Sequence, residues 1–254
     1  MINELTADNT YRPKATYILA FCCLMITGGT LMFQNLESIF GARELGGIPP
    51  LARLTVPFQH GFSTIPRIVH LSIILILFLL ISRPVEKILG TTRFVAFTAI
   101  CWIFYVLTHR FLEMQGHGFH PIIWTYSILL WYILGEAKYI KTRTSFQETY
   151  KLLKVIILSM WIVAPIMMMF IPLHFTNTSE TSLIESFWLG NICHILAIFL
   201  GVAGILIFKK RIRKRMINFA RKKKLTYSEY DKFAVISCFL IPLFLLAILF
   251  YNPQ

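Results

Sequence analysis

Seven apolar runs, roughly 15–34, 67–83, 93–109, 119–137, 153–173, 186–208 and 233–250, are long enough to cross a bilayer as helices. A helix on the surface of a water-soluble protein carries one apolar stripe and one polar face, whereas these runs are apolar around their circumference. Only 15% of the 254 residues are charged, against 56% hydrophobic, and the mean hydropathy is +0.66, which excludes a cytosolic enzyme. The net charge of +13 raises the question of nucleic acid, but the basic residues sit between the apolar runs, so they read as topology signals and no nucleic-acid partner is expected. The expected class is all-α, a polytopic integral membrane protein. Cys22, Cys23, Cys101, Cys193 and Cys238 all fall inside apolar runs with no CxxC pair, which fits small buried hydrophobes better than a disulfide or zinc framework.

Charge then sets the direction of the chain. With residues 1–14 as a cytoplasmic N-terminus, the inside collects Arg12 and Lys14; Arg83, Lys87 and Arg93; Lys138, Lys141, Arg143, Lys151 and Lys154; and eleven more from Lys209 to Lys232. The outside keeps Arg43, Arg53, Arg67 and Arg110, a partition of 21 against 4 that predicts N-in, C-out in a plasma or inner membrane. The first run follows a polar stretch without a small-residue cleavage site, so it is expected as a retained helix. The basic cluster KKRIRKR at 209–215, with RKKK at 221–224, reads as a cytoplasmic loop over 209–232 that anchors the sixth helix, and the same charges suit anionic lipid headgroups. The remaining 233–254 is a further spanning helix with a short outer tail.

On this topology all seven histidines lie at or near the outer side. His60 and His117 fall in outer loops, and His109 and His174 at outer helix ends, whereas His70, His120 and His194 lie in the outer thirds of the second, fourth and sixth helices. Ionisable groups inside a bilayer are costly and usually face a bundle interior or a wet cavity, so the last three are expected to converge. For any one of them alone, a backbone carbonyl or interfacial water is the simpler partner. Gly190, His194, Ala197, Gly201 and Gly204 recur at spacings of 4, 3, 4 and 3, which puts His194 on a small-residue seam for close helix packing. Trp124, Ser127 and Trp131 continue a stripe from His120 along the fourth helix, read chiefly as core or interface anchoring.

These residues carry a resemblance. Arg53-Leu54-Thr55 with Phe58 and His60 in the first outer loop, Val69-His70-Leu71 opening the second helix, Val85-Glu86-Lys87 with Gly90-Thr91-Thr92-Arg93-Phe94, Gly118-Phe119-His120-Pro121, and His194 followed at seven residues by Gly201 occur in an order and helix placement that resembles the rhomboid superfamily of intramembrane serine proteases. The match spans roughly 50 to 205. It implies a rhomboid-like six-helix domain at 15–208, with the spanning helix at 233–250 added to it.

The departures bear on activity. In the family's motifs tryptophan is usual at the position of Ala52, asparagine at that of Ile74, serine at that of His120 and glycine at that of Ala197. A serine protease needs a hydroxyl beside an imidazole that takes its proton. Ser127 lies seven residues beyond His120, about 10 Å deeper, so it is no substitute. Of the expected dyad only His194 remains. The resemblance therefore implies a pseudoprotease-like protein, without serine protease activity or cofactor, that binds membrane segments of client proteins. The alternative is a metal-binding protein or metal-dependent membrane enzyme using His70, His120 and His194, because superposition on the family would bring the three imidazoles together and zinc or copper accepts such a set. An intramembrane protease with an unusual site is a further alternative. A transporter is disfavoured by the lack of an inverted repeat and of an acid in mid-bilayer.

Overall fold

The computed structural model describes residues 13–32, 64–111, 120–139, 153–162 and 183–221. Among these there is no strand, and six helices account for nearly every residue: α1 Lys14–Met32, α2 Thr64–Leu89, α3 Thr91–Phe111, α4 His120–Tyr139, α5 Leu153–Ile162 and α6 Leu183–Arg221. The all-α expectation therefore holds. The span expected at 233–250 lies outside the described residues. The chain divides after Ile123 into two compact units, the first carrying α1, α2 and α3, the second carrying α4 from Trp124 onwards with α5 and α6.

In the first unit α2 packs against both α1 and α3. Every residue from Ile81 to Leu89 is buried, although this stretch contains Ser82, Arg83, Glu86 and Lys87. Apolarity ends near residue 83, but the helix runs on for another turn and a half through Pro84. It stops at Gly90, whose φ of 86° suits a residue without a side chain. The Gly90 N–H donates to the Glu86 carbonyl at 2.7 Å, the left-handed cap that ends many helices, and the Phe94 N–H already donates to the Gly90 carbonyl at 3.0 Å. A single residue thus turns the chain from α2 into α3.

Glu86 joins α1 to this turn. Its carboxylate accepts from the backbone N–H groups of Ala15 at 3.1 Å and Thr16 at 2.8 Å, and from the hydroxyls of Thr16 at 2.7 Å and Thr91 at 2.9 Å. Two of the N–H groups that a helix start leaves unsatisfied are thereby filled by a negative charge, which the α1 dipole also favours. One turn earlier the Arg83 guanidinium lies over the Tyr17 ring, 5.6 Å from its centroid. The start of α1 therefore meets the end of α2, and the two helices run antiparallel.

The second unit is ordered by contacts along α4. Trp124 meets His194, Thr125 meets Ala197, Ile128 meets Gly201 and Glu136 meets Arg213, a series that ascends on both helices, so α4 and α6 are parallel. Against α5 the series descends, Ser127 with Trp161 and Trp131 with Lys154, so α5 is antiparallel to α4. Alternation of direction along the chain is what successive crossings of one layer require.

The described interior is mostly apolar, with Leu71, Phe78, Phe94, Leu129 and Ile157 fully or almost fully buried, yet large apolar side chains also lie on the surface and several polar ones lie inside. Ile18 and Phe21 on α1, Ile103 and Phe104 on α3, Val155 on α5, and Phe199, Leu206 and Ile207 on α6 are exposed, whereas Thr16, Thr27, Ser82, Glu86, Thr125 and Ser127 are wholly or almost wholly buried. Several buried hydroxyls are satisfied within their own helix, Ser72 by the Ile68 carbonyl and Thr98 by the Phe94 carbonyl. Among the described residues one helix is long and apolar enough to cross a membrane by length and composition, α3 over Thr91–Thr108, while Lys14–Thr30 and Leu153–Ile162 are shorter apolar helices.

α6 departs from the expected boundary at 208. The apolar run ends there but the helix continues to Arg221, so the first half of the segment expected as a loop is helical. Lysine and arginine are good helix formers and no glycine or proline interrupts 205–221, so hydropathy marked the end of the apolar run and not the end of the helix.

Candidate functional site

α4 and α6 approach closely because α6 presents small residues. Ala197, Gly201 and Gly204 are buried, and a Cβ built on Gly201 would fall 2.7 Å from the Ile128 Cβ, closer than any methyl group tolerates. The Thr125 hydroxyl crosses the same seam and donates to the Ala197 carbonyl at 3.2 Å. In a helix a carbonyl is already used by the residue four further on, so this bond adds a second donor and locks the register of the two helices.

His194 sits at one end of this seam, as its spacing from Ala197 and Gly201 requires. It is 4% exposed, and its ring lies on Trp124 with centroids 4.4 Å apart and planes tilted by 31°. The indole fixes the imidazole on the α4 side of α6 and covers one of its faces. Burial and the ring contact together restrict how the imidazole can turn. Trp124, read from sequence as part of an anchoring stripe, is thus a positioning residue for His194. The available signal was its place one helical turn after His120, on the face of α4 that also carries Ser127.

Ser127 is held elsewhere. Its hydroxyl donates to the Trp124 carbonyl at 2.7 Å and accepts from the Trp161 indole at 2.8 Å. The hydroxyl thus donates to one structural partner and accepts from another. Beyond it, Trp131 packs on Trp161 at 5.3 Å between centroids and receives the Lys154 ammonium 4.7 Å from its own centroid.

His70 lies in α2, His109 in α3 and His120 opens α4, but their side chains, and the histidines at 60, 117 and 174, lie outside the described residues. The expected convergence of His70, His120 and His194 therefore rests on sequence. Among the described residues no three histidine, cysteine, aspartate or glutamate side chains form a group that could hold a metal ion. Among the described residues Cys22, Cys23 and Cys101 are not joined in a disulfide; Cys23 and Cys101 are buried and Cys22 is half-buried. Glu86 had been noticed as part of a motif, but its capping of α1 went unforeseen, because nothing in the spacing tells which backbone N–H groups a carboxylate will meet.

No family profile, curated protein or solved structure matches this chain.

Proposed function

We propose that the chain is a polytopic membrane protein with a rhomboid-like helical bundle that lacks serine protease activity and binds transmembrane segments of client proteins. The observation that carries this reading is the pairing of α4 with α6. A buried imidazole, His194, is held by Trp124 against a parallel helix across a small-residue seam, yet the buried serine on that helix, Ser127, is consumed by structural bonds. The position one turn before Trp124, where a protease of the resembled family carries its nucleophile, is His120. A scaffold that keeps its histidine without the hydroxyl retains binding and loses the covalent step.

Exposed apolar side chains support the membrane part of the reading. Phe104, Phe199 and Leu206 avoid an energetic penalty only against lipid or another apolar helix, and buried Ser72, Thr98, Thr125 and Ser127 each donate to a backbone carbonyl. The direction N-in, C-out follows from the basic partition in the sequence.

The test is a pull-down from membranes with a fluorophosphonate probe applied in parallel. Clients are expected to co-purify uncleaved, to remain bound when cut back to their transmembrane segment, and to leave the bait unlabelled by the probe. Labelling of any serine, or recovery of clients as cleaved halves, would contradict the reading. Stoichiometric zinc or copper, lost on His120→Ala, would replace it with the metal-binding alternative.

A further inference from the structure

α6 is a single helix of 39 residues, about 58 Å long, nearly twice the roughly 30 Å hydrocarbon core of a bilayer, so in a membrane one part of it must stand outside. Its outward face shows where. Phe199, Val202 and Leu206 are exposed at helical spacing, and the exposed residues that continue the same face are Lys209, Lys210 and Lys214. The change from apolar to cationic takes place within one turn. From Lys209 to Arg221 there are seven basic residues and no acidic one.

The opposite face does not change. The buried series Ala197, Gly201 and Gly204 continues as Ile212 and Met216 beyond the apolar run. Glu136 of α4, itself bonded to the Tyr132 hydroxyl at 2.8 Å, lies 3.9 Å from the Arg213 guanidinium. Arg213 thus reaches across to α4, while Lys209, Lys210 and Lys214 are exposed on the outward face.

We infer that the outward face of α6 from Lys209 to Lys214 is a binding site for the phosphate headgroups of anionic lipids in the leaflet that α6 leaves. The occupant follows from continuity and charge: lipid chains lie against Phe199 to Leu206, and the next layer outward along the same face is the headgroup layer of those same lipids. Three lysine ammonium groups within six residues offer point charges to phosphate oxygens. The inference rests on the membrane part of the proposed function and is independent of client binding.

The experiment uses the full chain in nanodiscs of phosphatidylcholine with a minority of phosphatidylglycerol, reading the protein-associated fraction of spin-labelled forms of each lipid. Association is expected to favour phosphatidylglycerol about fivefold or more, since each basic residue near an anionic surface contributes on the order of a fivefold effect. The variant K209Q/K210Q/K214Q is expected to lose most of that preference. A charge-matched control, K222Q/K223Q/K224Q, is expected to keep it. Both variants are checked for an unchanged thermal unfolding midpoint, and raised salt should weaken the wild-type preference if the first variant misfolds. Equal loss in the two variants would overturn the site in favour of diffuse charge, as would no preference in the wild type. Tight binding of a short RNA duplex by the same face without lipid preference would also overturn it. Failure of the chain to enter nanodiscs would overturn the membrane reading itself.

Discussion

His194 shows what a single residue's neighbours reveal about its use. Its place on the packing face was legible from the 4, 3, 4, 3 spacing, because small residues at helical intervals mark a close approach whatever the partner helix is. That Trp124 would supply the covering ring was not legible, since an aromatic on an apolar stripe has many equivalent partners until the helix pair and its register are known. Gly201 fixes that register. The atom nearest to a Cβ at this position is the Ile128 Cβ, next to the α4 backbone, which no rotamer change moves away. Gly201→Ala is therefore expected to destabilise the protein by about 1–3 kcal/mol, read from denaturant titration in mixed micelles. Ile128→Ala in the same background removes the two methylene and methyl contacts at 3.0 Å and should recover part of the loss, but not all of it. A neutral Gly201→Ala would mean that the two helices stand further apart than the seam requires.

At the level of elements, hydropathy located helices well and ended two of them too early. The starts of α1, α3 and α4 fall within a few residues of the expected spans. α6 runs past its apolar stretch because the lysines and arginines that follow are good helix formers, whereas α2 runs on through Pro84 against local propensity, with every residue from Ile81 to Leu89 buried. In α2 the extension has a structural purpose: it carries Glu86 to the first turn of α1. Glu86→Ala would leave two backbone N–H groups and two hydroxyls without their acceptor in a buried place. A loss of about 3 kcal/mol or more is expected, with Glu86→Gln intermediate because its amide offers one acceptor oxygen where the carboxylate offers two. Amide hydrogen exchange at Ala15 and Thr16 should accelerate in step. Protection unchanged in Glu86→Ala would show that α1 is capped by something else.

For the whole molecule, apolar side chains occur both inside and outside: Phe78 and Phe94 are buried, whereas Phe104 and Phe199 are exposed. On the proposed membrane reading lipid is the solvent for the exposed set. The helical class was legible because it follows from composition along the chain. Site chemistry was legible only in part, since it depends on side chains from separate helices, of which His194 with Trp124 is the pair the structure supplies. The central claim is that the outward apolar face of α6 meets lipid and that its basic continuation leaves it. The most direct measurement places single nitroxide labels at Phe199, Val202, Leu206, Lys210 and Lys214, replacing each by cysteine in a cysteine-free background, and compares relaxation by oxygen with relaxation by a water-soluble nickel chelate in liposomes. Oxygen is expected to dominate at the first three positions and the chelate at the last two, with the crossover between Leu206 and Lys210. Preferential relaxation by the chelate at Phe199 and Val202 would contradict the account.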